Sequence, residues 1–528
     1  MTLSIFAISF PTHIHGDFLQ CLTSYQFSNT STSFDKLIYT PNDASYVTVL
    51  NSTIRNPRYS TPSTPKPLVI VTPLDASQVQ ATIKCSKKYA LQIRIRSGGH
   101  DLEGLSYVSG VPFVIIDLTN LRLITVDVEE ETAWVQSGAT IGEVYYRVSE
   151  KTGNLGFPAG VCHTVGVGGH FSGGGYGTLL RKYGILADNI LDAQIVNVDG
   201  EILDRKAMGE HLFWAIRGGG GASFGVVLDW KIKLVNVPSI VTVFCVSRSL
   251  ETAETKKLLH QWQYLADKFH EELLVFPRIR TVNSTTKDGS SKKTLQVTFS
   301  SLFLGDLDML LELIQECFPG LGLKREDCTE MSWIESVLFF SGFPSGDSPN
   351  ELLGRFPGMG GFFNFPSKTK SDYVKDPIPE HVLGRIWERL YDVEVGMIVI
   401  QMFPYGGRMK EISESEIPFP HRAGNLYHLA FYCTWKDDPV RHLNWIRDLY
   451  RYLTPYVSKN PRATYYNYRD LDIGINNNEG YTSYNQASIW GTKNFKSNFR
   501  KLVLVKTIVD PSNFFRNEQS FPSLSTRQ

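Results

Sequence analysis

FPAGVCHTVGVGGHFSGGGYG, residues 157–177, is the stretch on which the reading of this chain turns. It is dense in glycine and nearly free of charge, and it holds a single cysteine, Cys162. Glycines at this density let backbone pass close to a large ligand and expose N–H groups that side chains would shield. A backbone cradle of that kind suits a pyrophosphate. Upstream, Arg96-Ser97-Gly98-Gly99-His100-Asp101 places a histidine after a second glycine pair. Cys162 and His100 are both nucleophiles that could be joined covalently to a cofactor. A Rossmann dinucleotide loop does not fit, because Gly166-Val167-Gly168-Gly169-His170-Phe171 lacks the G-x-G-x-x-G spacing. A glycine-rich surface loop is the plain structural alternative, but such loops are usually polar.

Outward from this stretch, the chain has 528 residues, which length alone divides into two to four domains. Lys plus Arg and Asp plus Glu both number 53, so nothing in the charge balance points to nucleic acid or to an acidic surface. No apolar run is long enough to span a bilayer. The seven cysteines show no C-x-x-C spacing, which argues against a zinc site, and no metal is expected. Residues 3–10 form a short apolar run without a basic flank, a weak secretion signal within residues 1–17. Asn29, Asn51 and Asn283 begin N-x-S/T sequons and are candidate glycosylation sites.

Periodicity sketches the architecture. Residues 68–71 read as a buried strand. Asp75 can cap a helix, with Gln78 at capping-box spacing. Residues 92–96 are the next strand and deliver His100 beyond their end, where an open α/β layer places ligand groups. Strands are expected at 113–118, 124–126 and 133–135, helices at 141–152 and 212–216, and a type I′ hairpin over 195–203. A long strand over 226–237 ends at Pro238. Beyond it, alternating strands (241–247, 294–299, 395–401, 426–432) mix with amphipathic helices (252–269, 307–318, 379–391, 440–452). That pattern predicts an α+β unit with an antiparallel sheet, one face covered by helices and the other free to roof a pocket.

The two glycine motifs, with Tyr466-Asn467-Tyr468-Arg469-Asp470-Leu471-Asp472 and Asp510-Pro511-Ser512-Asn513-Phe514-Phe515-Arg516 near the end, closely resemble those of the berberine-bridge-enzyme-like plant flavoproteins. Within that family the chain is most similar to the cannabinoid acid synthase and mulberry Diels–Alderase-like subgroup. The resemblance implies an α+β, two-domain flavoprotein of the vanillyl-alcohol-oxidase type. Its FAD domain would span 18–237 and be completed by the returning segment 460–528, with a substrate domain over 238–459. It implies FAD bonded to both His100 and Cys162. Around the FAD it places Arg96, Ser97, Gly98, Gly99, Asp101 and Ser106 from the first motif. From the second come Thr164, Val165, Gly168, Gly169, Phe171, Tyr176 and Gly177, and from elsewhere Asn189, Val226, Tyr466 and Asn467. It also implies a Cys21–Cys85 disulfide and a monomer carried into the secretory pathway. From the residues alone, free buried thiols remain the alternative to that disulfide.

On the substrate side the resemblance makes Tyr468 the base that takes a phenolic proton while hydride leaves for the flavin. A phenol with an ordinary value of about 10 needs a stabilised anion to do this near neutrality. Val165 matches the residue that admits oxygen in oxygen-using members, which implies H2O2 as by-product. Phe403, His428 and Arg278 depart from the cannabinoid synthases, Ala430 stands where berberine-bridge enzymes carry an acid, and Tyr405 completes the expected pocket. Unchanged flavin motifs beside changed substrate positions predict the same cofactor and a different substrate. The leading expectation is an oxidase acting on a prenylated phenol. A Diels–Alderase, with Arg278 polarising a carbonyl, is the second, and a flavin-loaded binding or defence protein the third.

Overall fold

The computed structural model describes residues 12–25, 33–285, 291–356, 364–394 and 396–524. Most of the expected secretion signal and the Asn29 sequon lie outside them.

Three largely buried strands start the first sheet. Val69–Val71, Phe113–Asp117 and Gln92–Arg96 lie side by side and parallel, and Ile38–Tyr39 adds an antiparallel edge. Parallel neighbours need a crossover, and helix Ala76–Lys88 supplies it. The Asp75 side chain caps this helix by accepting from the Ser77 and Gln78 N–H groups. Gln78 does not return to Asp75 as a capping box would; its Oε1 accepts from Leu74 N at 2.7 Å, one residue earlier. A disulfide joins Cys85 on this helix to Cys21 on helix Thr12–Ser24.

The second sheet is antiparallel, in the order Ile124–Asp127, Thr132–Gln136, Val226–Lys233, Ile190–Val196, Ile202–Leu203. The predicted type I′ turn is not there. Residues 197–201 separate the paired Val196 and Ile202, and Asn197 Oδ1 organises them by accepting from the Asp199 and Glu201 N–H groups. The polar asparagine side chain has replaced the two-residue turn. The long strand also stops early, at Lys233, because Val235–Asn236 leaves to pair with Leu155–Gly156.

The third sheet has seven antiparallel strands, ordered Cys328–Met331, Val241–Ser249, Ser291–Phe303, Leu273–Thr285, Ile398–Pro404, Tyr427–Thr434, Ser367–Val374. Alternate residues of a strand share a face. Ile279, Ile400, Met402, Leu429 and Phe431 face the helices Ala253–Leu265, Glu380–Leu390 and Pro439–Tyr452 and join their core. The other face carries Arg278, paired with Gln401, and Tyr432, paired with Val399. Three strands of this sheet escaped the periodicity, the short edge strand Cys328–Met331 and two longer ones. Leu273–Thr285 contains Pro277, which breaks the signature of an inner strand. Ser367–Val374 reads Ser-Lys-Thr-Lys-Ser-Asp-Tyr-Val, a surface pattern, yet every residue is buried.

Ion pairs explain that burial. Lys368 donates to Glu103 and, at 2.6 Å, to Asp470; Lys370 donates to Asp470 at 2.6 Å; Arg462 grips Asp372 through two bonds of 2.6 Å. Burial opposes the charge on Asp470, but Lys368 and Lys370 outweigh it and hold the carboxyl below its usual range. The charges that made the strand look exposed thus tie it to the loop after His100 and to the tail segment that carries Tyr468.

Candidate active site

A cavity of about 740 Å³ lies between the glycine-rich stretches and the free face of the seven-stranded sheet. On one wall, strand Gln92–Arg96 carries the chain into Gly98 and Gly99, and residues 160–177 run alongside. Gly98 and Gly166 lie backbone against backbone: a Cβ on either would strike the other's amide nitrogen. Only glycine permits that approach. His100 and Cys162 converge on one hydroxyl. Thr164 Oγ1 is 2.9 Å from His100 Nε2 and 3.6 Å from Cys162 Sγ. Burial lowers His100 to about 3, so its imidazole is neutral, and burial raises Cys162 above the ordinary thiol range.

Among the described residues that line the cavity, five buried polar atoms have no hydrogen-bond partner: Ser106 Oγ, Ser137 Oγ, Arg94 Nε and Nη1, and Arg469 Nη1. Each unpaired group costs about 1–3 kcal/mol. Three are guanidinium donors, and with the glycine cradle they suit a large ligand rich in acceptor oxygens, as FAD is. Arg94, Ser137 and Arg469 were not among the expected contacts. Arg94 stands two positions before Arg96 in the same strand, lines the cavity and donates Nη2 to Glu518.

The structure corrects Arg96. Its guanidinium is turned away from the cavity, donating to Asp117 and to the carbonyls of Val49 and Leu50. Ser97 Oγ donates to Ser137 O. Asp101 accepts from the Glu103 and Leu105 N–H groups and from Arg469 Nε. Val165, Gly168, Gly169, Tyr176, Gly177, Tyr466 and Asn467 reach the cavity. Phe171 instead packs against Trp230 in the core, and Val226 is buried within its strand. Asn189 is spent elsewhere, donating to the carbonyls of Tyr183 and Ile185 beside a separate cleft.

The opposite wall is set by sheet register. Arg278, Gln401, Phe403 and Tyr432 project into the cavity, and Tyr468 meets them from the tail. The Tyr468 hydroxyl sits between two others: Tyr432 donates to it at 2.6 Å, and the Tyr176 hydroxyl bonds to it from the other side. Burial, reinforced by Tyr176, holds Tyr468 well above an ordinary phenol. Three positions expected at the substrate are not on this wall. The His428 ring is enclosed by those of Tyr176, Tyr373, Tyr465 and Tyr468, and both of its nitrogens are unpartnered. Burial lowers it to about 3, so it is neutral. Tyr405 donates to the Tyr373 hydroxyl at 3.3 Å, and Ala430 lies between Gln401 and Ser371 in the sheet. None of the three is among the residues that line the cavity. Tyr432 was missed, although it continues the alternation through positions 428 and 430.

Asn51 and Asn283 are both exposed at the surface, and no helix among the described residues is long and apolar enough to cross a membrane. Among the described residues no cluster of His, Cys, Asp and Glu could hold a metal ion.

Comparison with known proteins agrees with this geometry. An FAD binding domain model matches residues 67–205, and a model described as berberine and berberine like matches residues 464–522. Cannabidiolic acid synthase-like 2 of Cannabis sativa is 53% identical over 517 residues, covering 97% of this chain and 94% of its own. Tetrahydroberberine oxidase of Berberis wilsoniae is 52% identical over 536 residues, covering 99% and 98%. The solved structure of berberine bridge enzyme-like 28 from Arabidopsis thaliana superposes with a TM-score of 0.88 at 46% identity, covering 97% of this chain and all of that one.

Proposed function

The chain belongs to the berberine-bridge-enzyme-like family of FAD-linked oxidoreductases, and from that premise we propose that it is an oxidase taking hydride from an allylic or benzylic carbon of a prenylated phenol. The observation that carries this reading is the pairing of walls: His100 and Cys162 meeting at Thr164 on one side, Tyr468 and Arg278 facing the same cavity on the other. His100 and Cys162 are the attachment points for the cofactor, the neutral imidazole and the thiol both being within reach of one hydroxyl. When bound, FAD accepts the hydride and passes two electrons to O2, giving H2O2.

The protein's own residues handle the rest. Tyr468 Oη takes the proton from the substrate hydroxyl. Arg278 presents donors to the oxygen of the substrate, and Phe403 supplies an apolar surface for its chain. Val165 keeps the approach to the cradle open with a short side chain. The cofactor domain comprises residues 18–237 and 460–528, the substrate domain 238–459, and the chain acts as a secreted monomer.

A second reading draws on Arg278 alone. It lines the cavity beside Tyr432 and Tyr468, where its charge would polarise a dienophile carbonyl in a cycloaddition without net oxidation. One experiment separates the two. The purified protein is mixed anaerobically with prenylated phenols, including diene–dienophile pairs, and followed by visible absorption with product analysis. Bleaching that air reverses is expected. An adduct accumulating over an unbleached spectrum overturns the oxidase reading in favour of cycloaddition. Tyr468→Phe should slow bleaching by about 10²–10⁴-fold, the usual contribution of a general base; an unchanged rate removes Tyr468 from the role.

A further inference from the structure

Tyr432 is marked by no sequence motif. It lies on the cavity face of strand Tyr427–Thr434, and its O–H donates to the Tyr468 oxygen at 2.6 Å. Their rings meet edge to face with centroids 5.8 Å apart. Behind Tyr432, register places cations on the same face: Val399 is its partner, Arg280 is the partner of Val399, and Arg278 is one step further along. Tyr432 and Tyr468 are both among the groups whose charge couples to that of Arg278.

We propose that Tyr432 is a positioning residue for the base, donating its O–H into the Tyr468 oxygen and, with Arg278 as the cation behind it, holding the phenolate that Tyr468 becomes before it accepts a proton. The proposal rests on the reading of Tyr468 as base. In the step, the substrate O–H bond breaks and a Tyr468 O–H bond forms, while the negative charge moves to the substrate oxygen. Tyr432 keeps its own proton throughout, and no further reactant is needed. Tyr176, Tyr432, Tyr465 and His428 surround Tyr468. His428 is neutral there, so the cations beside the cluster on the same sheet face are Arg278 and Arg280. The Tyr176 hydroxyl bonds to the Tyr468 oxygen from the other side, and either oxygen can be the donor of that bond.

Fluorine NMR of the FAD-loaded full chain labelled with fluorotyrosine tests this without a substrate. The Tyr468 resonance is assigned by its loss in Tyr468→Phe, and its ionisation is followed with pH. Losing a donor to the anion raises the pKa, so Tyr432→Phe and Arg278→Gln should each move the Tyr468 ionisation upward by about one pH unit. Arg278→Lys should restore most of the shift. The acid limb of the pH–bleaching profile should move the same way, because the base form then persists only at higher pH. A merely structural role would lower the rate equally at every pH. An ionisation unmoved by both Tyr432→Phe and Arg278→Gln overturns the proposal while leaving Tyr468 as base. A bleaching profile insensitive to Tyr468→Phe overturns both.

Discussion

One wall of the cavity comes from two short stretches, residues 96–101 and 157–177, and works mainly through backbone. The facing wall takes its side chains from strands Leu273–Thr285, Ile398–Pro404 and Tyr427–Thr434 and from Tyr468 in the tail, and works through sheet register. The first is local in sequence and intolerant of added atoms. The second is assembled from segments far apart, and each side chain can change without moving the backbone beneath it. A scaffold divided in this way can keep its cofactor while the groups facing the substrate vary.

The sharpest way to break that contrast is to add atoms to one wall and remove them from the other. Gly98→Val pushes a branched side chain into the backbone of Gly166 and Thr164. It should cost at least about 3 kcal/mol, the upper range for overpacking, and the protein should be recovered without its visible flavin spectrum. Gln401→Ala, on the register wall, should keep the flavin spectrum and change stability by less than about 1 kcal/mol. If Gly98→Val retains full flavin content, the wall is not the close-packed cradle described here.

A smaller effect probes the joint between the walls. Asp470→Asn leaves Lys368 and Lys370, both about 2% exposed, without the carboxylate that they share. Removing one partner from a buried ionic cluster costs about 3 kcal/mol or somewhat more. Glu103 and Asp472 remain nearby and should keep the loss at the low end of that range. Denaturant unfolding of the two proteins measures it. A loss below about 1 kcal/mol would mean that strand Ser367–Val374 is held by its neighbours and not by its charges.

The same division governs what could be read from the sequence. The glycine-rich wall was legible because its function requires glycine, and a residue type required at many positions in a row leaves a visible pattern. His100 and Cys162 stood out within it. The crossover around helix Ala76–Lys88 was legible from a buried aliphatic run and a cap, and the fold class from the resemblance carried by the motifs. Arg96 and Asn189 misled because a motif names positions and not the direction of a side chain. Arg96 turned to Asp117, and Asn189 closed its own turn. Strand Ser367–Val374 was invisible because its buried lysines are satisfied by acids from residues 103, 470 and 472, a pairing that exists only in three dimensions. His428 and Ala430 were recognised as changed, but the tyrosines that enclose His428 come from residues 176, 373, 465 and 468, so alignment alone could not show that it stands behind the cavity wall.

The last contrast sets two buried histidines side by side. His170, on the glycine wall, accepts the Gly160 N–H at 3.0 Å, and burial lowers it to about 4. His428, behind the register wall, has no partner for either nitrogen and is lowered to about 3. Both are neutral when folded and take a proton near 6.5 when unfolded, so the unfolded chain binds more protons below that value. Stability is then complete above pH 6.5 and falls as pH drops towards the folded value, by about 1.4 kcal/mol per pH unit for each fully buried histidine. His170→Leu should remove this acid sensitivity but strand the Gly160 N–H, costing about 1–3 kcal/mol at neutral pH. His428→Leu gives up no hydrogen bond and keeps the volume close, so its neutral-pH cost should stay below about 1.5 kcal/mol. Denaturant midpoints between pH 7 and pH 4 should therefore converge with the parent for His170→Leu and overtake it for His428→Leu. If both variants lose equally at neutral pH, His428 has a partner that the geometry does not provide, and the two walls do not differ in how they hold their histidines.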